Sequence, residues 1–117
     1  MNNTASIMIA IVALLHVYFL VLEMFLWDTP FGRRVFKSTP EYAKASKILA
    51  ANQGLYNGFL AAGLAWGLAM GEEGLHVKIF FLACVIVAGV FGAATASRNI
   101  LFVQAIPGIF ALALLLN

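Results

Sequence analysis

Four long apolar runs restrict what this chain can fold into more than any other feature of its sequence. The runs cover residues 5–27, 48–70, 75–96 and 100–116. At about 1.5 Å of rise per residue, helices of this length cross or nearly cross a hydrocarbon layer about 30 Å thick. Of the 117 residues, 63% are hydrophobic and only 10% are charged. A soluble domain of this size cannot hide that much apolar surface in its core, so the sequence predicts an all-α polytopic membrane protein.

The polar segments between the runs predict how the helices are connected. The sequence from Thr29 to Gly32 contains Pro30 and breaks the first helix, and Thr39 followed by Pro40 is typical of a helix start. The turns at 71–74 and 97–99 are short, and short turns join antiparallel neighbours. We therefore expect one domain over residues 1–117, an up-down four-helix transmembrane bundle. Its predicted helices cover about residues 5–27, 40–70, 75–96 and 100–116.

The distribution of basic residues predicts an orientation. Lys78 is the basic residue expected on one side of the membrane, and the other six are expected on the opposite side. These six are Arg33, Arg34, Lys37, Lys44, Lys47 and Arg98. Because basic loops stay in the cytoplasm, both termini are expected to be extracytoplasmic, in a bacterial inner or plasma membrane. Contact of the basic loop with anionic lipid headgroups is an alternative role for it.

Polar residues inside the apolar runs are the candidate site residues. A central charge costs about 2.5–3.5 kcal/mol on insertion scales, so such side chains are expected to face the bundle interior. By helical rise, Glu23, Gln53 and Gln104 lie roughly 5–10 Å inside the cytoplasmic boundary, with His16 and Asn57 near the midplane. This distribution predicts a polar pocket that opens toward the cytoplasm. Its predicted ligand-binding residues are His16, Glu23, Gln53, Tyr56, Asn57, Arg98 and Gln104.

Partners can be predicted for two of these residues. Arg98 is expected to pair with Glu23, with the loop arginines as competitors, and His16 is expected to hydrogen-bond Asn57 or Tyr56. A metal site is not expected, because Cys84 is the one cysteine and thiolate sites need several ligands. No nucleotide-binding loop or Ser/His/Asp arrangement is present.

Small residues predict where helices approach closely. The second run carries two glycine pairs at spacing four, Gly54 with Gly58 and Gly63 with Gly67. The third run carries a stripe of small residues, Ala88, Gly89, Gly92, Ala93 and Ala96. Such stripes allow helix backbones to pack tightly in membranes. In the fourth run, Pro107 has no N–H for the carbonyl of Val103 and can bend the helix beside Gln104.

Four segments carry a resemblance to a known family. They are HVYFLVLEMFLW (residues 16–27), ANQGLYNGFLAAGLAWG (51–67), GVFGAATASRN (89–99) and QAIPGIFAL (104–112). In these segments the chain resembles domain-of-unknown-function family 1304, small and mostly bacterial four-helix membrane proteins. The resemblance covers nearly the whole chain and implies an integral membrane protein, but it implies no substrate. The motif positions it marks include His16, Glu23, Gln53, Tyr56, Asn57 and Gln104.

Three hypotheses of function follow. The first is binding or transport of a small molecule or ion through the cytoplasm-facing pocket. The second is a membrane enzyme that acts on a lipid or a small thiol, and whether the chain is an enzyme stays open. The third is a structural or interaction subunit of a membrane complex. The lipid bilayer is the expected surrounding in each case, and a homo-oligomer is compatible with all three hypotheses. No nucleic-acid partner is expected, and the sequence names no cofactor.

Overall fold

The structure is a computed structural model, which describes residues 3–117 and their side chains apart from that of Leu101. Every regular element among these residues is helical, so the predicted all-α class is confirmed. In chain order they are α1 (Asn3–Met24), α2 (Pro30–Phe36), α3 (Pro40–Ala69), a 3-10 turn (Gly71–Gly74), α4 (Leu75–Thr95), a π-helical turn (Leu101–Ala105) and α5 (Ile106–Leu116). The sequence did not predict α2, which lies in the expected polar connection.

Local capping explains why α2 forms inside this connection. The hydroxyl of Thr29 accepts a hydrogen bond from the N–H of Gly32 at 3.2 Å, which satisfies one of the free donors of the first turn. Pro30 fits the first helical position because its missing N–H has no partner there. The helix ends where Lys37 adopts a left-handed conformation with φ of 54°.

The start of α3 follows the sequence signal. The hydroxyl of Thr39 accepts a hydrogen bond from the N–H of Tyr42 at 3.1 Å, so Thr39 caps a helix whose first residue is Pro40. The acidic side chain of Glu41 lies in the first turn, where it interacts favourably with the helix dipole.

The chain divides into two compact units. The first unit consists of residues up to 15 together with residues 60–117, and the second unit consists of residues 16–59. Helices α1 and α3 each contribute to both. The prediction of one domain over residues 1–117 stays a prediction.

The apolar core of the first unit is formed by α1, the second half of α3, α4 and α5. Its buried members are Ile9, Val12, Ala13, Leu64, Leu82, Val85 and Ala111. Gly63 faces the ring of Phe81, and Gly67 faces the side chain of Lys78, so the second glycine pair of α3 packs against α4. This is the close approach that the sequence predicts for small residues.

The chain between α4 and α5 contains the π-helical turn. It directly precedes α5, and Pro107 lies at the start of that helix. Because Pro107 cannot donate to the carbonyl of Val103 and its ring crowds that carbonyl, the wider π turn accommodates the residues before it. The turn packs tightly on α4, since a Cβ on Gly89 would lie 2.6 Å from the backbone nitrogen of Ala105.

Two helical stretches within residues 3–117 are long and apolar enough to cross a membrane. They are Asn3–Met24 and Gly71–Thr95, and Phe102–Leu116 is a shorter apolar helix. α3 is longer than either, but Asn52, Gln53 and Asn57 interrupt its apolar run. The described part of the chain therefore contains two candidate spans by length and composition.

Candidate functional site

The polar side chains of α1 and α3 meet in the second unit at Glu23 and Asn57. The side-chain amide of Asn57 donates a hydrogen bond from Nδ2 to Oε1 of Glu23 at 2.5 Å. The two residues are 34 positions apart in sequence, and both are half-buried. Sequence reasoning named both residues from their depth, but it did not pair them.

Two glycines of α3 allow this contact. A Cβ on Gly54 would lie 2.7 Å from Cγ of Met24 and 3.1 Å from Cβ of Glu23. A Cβ on Gly58 would lie 2.7 Å from a methyl group of Leu20. The first glycine pair of α3 therefore packs against α1, whereas the second pair packs against α4. Since Asn57 lies between Gly54 and Gly58, the close approach places its amide beside the carboxylate.

Three further predicted site residues lie in the same unit. His16 is fully buried, and its ring meets that of Phe19 edge to face with centroids 5.2 Å apart. Gln53 is exposed on α3, and Tyr56 is 57% exposed with its ring 6.1 Å from that of Phe59. The predicted hydrogen bond of His16 to Asn57 or Tyr56 stays a prediction.

The remaining two predicted site residues belong to the first unit. Arg98 is exposed in the turn after α4, and Gln104 is half-buried in the π-helical turn. Their membership in one pocket with Glu23, and the predicted ion pair between Arg98 and Glu23, stay predictions. The setting of Gln104 is informative, because π-helical turns occur often at functional sites.

The chemistry available at the pair is that of one carboxylate with one amide donor. In the part of the chain that the structure describes, Oε2 of Glu23 has no hydrogen-bond partner. A carboxylate oxygen in this position can accept a hydrogen bond or pair with a cation. Among residues 3–117, no three His, Cys, Asp or Glu side chains come together in an arrangement that could hold a metal ion.

Sequence reasoning did not anticipate the setting of Lys78. It was expected as the basic residue of one side of the membrane, and the structure buries it completely near the start of α4. Its ammonium group donates a hydrogen bond to the carbonyl oxygen of Gly71 at 2.7 Å. The available signal was its position three residues inside an apolar helix, where a long cation must find a carbonyl or an acid.

Comparison with known proteins places the chain in a family. No solved structure matches it. It is 30% identical over 114 residues to the uncharacterized protein YpaA of Lactococcus lactis subsp. lactis (strain IL1403), and the match covers 96% of each chain. The profile of the family described as "Protein of unknown function (DUF1304)" matches residues 10–116. Since this match spans nearly the whole sequence, and the predicted resemblance is thereby confirmed, the chain belongs to the DUF1304 family.

Proposed function

We propose that this chain is an integral membrane protein that binds a small molecule or ion at the Glu23–Asn57 pair and transports it across the membrane. The hydrogen bond between Glu23 and Asn57 is the observation that carries the proposal. It joins α1 to α3 through polar side chains within two long helices that are mostly apolar. A carboxylate is costly at such a depth, and a cation or a hydrogen-bond donor in the substrate offsets that cost.

The exposure of the apolar helices supports a membrane location. In the most apolar 18-residue windows of the two candidate spans, only 28% and 22% of the residues are buried inside the protein. The core helix of a soluble protein of similar hydropathy would be mostly buried. Exposed side chains such as Leu14, Phe80 and Phe91 therefore favour contact with lipid over contact with water.

The architecture we propose is the four-helix transmembrane bundle predicted from the sequence. In it, α1, α3, α4 and the helical segment through α5 cross the membrane, and both termini are extracytoplasmic in a bacterial plasma membrane. In this proposal the polar pocket opens to the cytoplasm, with Gln53 near its mouth and His16 at its floor. Two features support this arrangement, the excess of basic residues in the connection between α1 and α3 and the glycine-mediated contact of those helices.

Proteoliposomes that contain a trapped pH-sensitive dye test the proposal. Proton flux is measured under an imposed potential, and binding of the organic cation tetraphenylphosphonium is measured by equilibrium dialysis. The variant Glu23→Gln keeps an oxygen that can accept from Asn57 but loses the charge, so we expect it to lose the flux or the binding. Glu73→Gln is the matched control, because Glu73 is exposed outside the site. Equal behaviour of wild type and Glu23→Gln in both assays would leave Glu23 only a structural role.

A second candidate function, that of an interaction subunit, is favoured by one specific observation. Asn52, Gln53 and Tyr56 are all exposed on α3, although polar groups at membrane depth need partners. Amides both donate and accept hydrogen bonds, so a second copy of the chain is the simplest partner. Cross-linking in membranes tests it, since Asn52→Leu with Gln53→Leu should abolish a cross-linked dimer. A dimer that persists in this variant, or none in the wild type, would contradict this candidate.

A further inference from the structure

The short helix α2 has two different faces. Gly32 lies against the backbone of Leu26, and Arg33 forms an ion pair with Asp28 at 2.8 Å, so this face packs onto the turn that follows α1. On the opposite face, Phe31 is 43% exposed and Val35 is 41% exposed. The guanidinium of Arg34 lies over the ring of Phe31, 5.8 Å from its centroid. The outer face thus combines apolar side chains with an exposed cation.

Trp27 holds α2 in place against the start of α3. Its ring packs on that of Phe36 with centroids 4.7 Å apart, and its indole N–H donates to the hydroxyl of Ser46 at 3.1 Å. Ser46 in turn donates to the carbonyl of Tyr42 at 2.7 Å. The cations of α2 and those of the first turns of α3 are therefore parts of one fixed surface.

The charge of this surface is unbalanced. Its exposed cations are Arg34, Lys37, Lys44 and Lys47. Arg33 is neutralised by Asp28, which leaves Glu41 as the exposed acid of the same stretch. We call the outer face of α2 and these four cations the basic surface. Tyr42, 60% exposed, lies beside it and is a residue type enriched at membrane interfaces.

We infer that the basic surface binds anionic phospholipid, with Phe31 and Val35 inserted between the headgroups and Arg34 and Lys37 on the phosphates. An exposed apolar pair beside cations is the composition of an interfacial helix, and α2 begins six positions after the last residue of the candidate span Asn3–Met24. Each cation near an anionic surface contributes about 1 kcal/mol, which corresponds to about fivefold in binding. The inference rests on the proposed membrane location but not on the proposed transport.

Fluorescence quenching by brominated lipids tests the inference. The sequence has two tryptophans, so in a Trp66→Phe background Trp27 alone reports on lipid next to the basic surface. The protein is reconstituted with mixtures of phosphatidylcholine and phosphatidylglycerol, one of which is brominated in each series. We expect phosphatidylglycerol to bind several-fold more strongly than phosphatidylcholine, and high salt to reduce this preference because screening shortens the reach of the charges.

Three variants test whether the charges of the basic surface cause the preference for phosphatidylglycerol. Arg34→Gln with Lys37→Gln should lower the lipid preference markedly while Lys44 and Lys47 remain in place. The charge-preserving pair Arg34→Lys with Lys37→Arg should retain the preference, and Glu41→Gln should increase it. Circular dichroism verifies that each variant keeps its helical content. An unchanged preference in the glutamine pair would overturn the inference while leaving the proposed transport intact. If neither brominated lipid quenches Trp27, the membrane location fails, and the inference fails with it.

Discussion

The Glu23–Asn57 pair can be tested for its contribution to stability separately from function. Asn57→Leu leaves the carboxylate without its donor, and Glu23→Leu leaves the amide without its acceptor. We expect each single variant to lower the free energy of unfolding by about 1–3 kcal/mol, because a half-buried polar group loses its partner. The double variant should lose less than the sum of the two, since replacing both partners by apolar groups of similar size is nearly neutral.

Thermal or denaturant unfolding in a single detergent measures the four proteins of this cycle. Additive losses would mean that the hydrogen bond of 2.5 Å between the two side chains contributes nothing specific. Together with the flux assay of Glu23→Gln, the cycle separates a polar contact that only holds α1 to α3 from one that also binds a substrate.

At the level of single residues, the position of a polar residue within an apolar run indicated which residues belong to the candidate site. It did not indicate which of these side chains contact each other. Counting residues from the ends of the apolar runs selected both Glu23 and Asn57 as candidate site residues, but it placed Asn57 nearer the midplane than Glu23. It pointed to Arg98 as a partner of Glu23, which stays a prediction, and it did not name the hydrogen bond that the carboxylate accepts from Asn57. Residues 34 positions apart meet only through tertiary packing, which Gly54 permits by its missing side chain. One sequence does not show which glycine faces which helix.

At the level of helices, the small-residue stripe of α4 makes a prediction that compares two glycines. A Cβ on Gly89 would lie 2.6 Å from the backbone nitrogen and 2.9 Å from Cα of Ala105, and backbone atoms cannot move aside easily. The three atoms nearest to a Cβ on Gly92 would all belong to the side chain of Ile100, the closest of them at 3.0 Å. We expect Gly89→Ala to lower the free energy of unfolding by about 1–3 kcal/mol through overpacking.

Gly92→Ala is the matched control on the same helix. The side chain of Ile100 can shift, and alanine favours a helix by up to about 1 kcal/mol over glycine, so we expect a nearly unchanged melting temperature. Equal effects of the two substitutions would contradict the packing of α4 against the π-helical turn. Circular dichroism melting of both variants in the same detergent decides between these outcomes.

The two elements that the sequence did not predict, α2 and the π-helical turn, both depend on local backbone chemistry. α2 depends on one cap at Thr29 and on the packing of Gly32 against Leu26, and seven residues are too few for a periodic pattern. The π-helical turn directly precedes the helix that contains Pro107, whose missing N–H indicated a local distortion but not its form. The long elements were predictable because hydrophobic length alone determines them.

For the molecule as a whole, the number of helices that cross the membrane decides whether the proposed four-helix bundle is right. Within residues 3–117, α1 and the stretch Gly71–Thr95 are the two helical stretches that qualify as spans by length and composition. α3 carries the polar residues Asn52, Gln53 and Asn57. If only these two helices crossed, the chain would enter the cytoplasm through α1 and leave it again through α4. Both termini would still be extracytoplasmic. Reporter fusions to the termini therefore cannot distinguish two spans from four. The turns at residues 71–74 and 97–99 can distinguish them. Each turn lies on one side of the membrane if α3 crosses and on the other side if α3 does not cross.

Site-specific labelling of these turns decides the number of spans. In a Cys84→Ala background, Glu73→Cys and Ser97→Cys each place one thiol at an exposed position. With four spans and a cytoplasmic basic loop, we expect a membrane-impermeant maleimide added to intact cells to label Glu73→Cys and to label Ser97→Cys only after lysis. With two spans the pattern reverses, because α3 stays on the cytoplasmic side and α4 crosses outward. The reversed pattern would move the Glu23–Asn57 contact out of the bundle interior and remove the basis for transport.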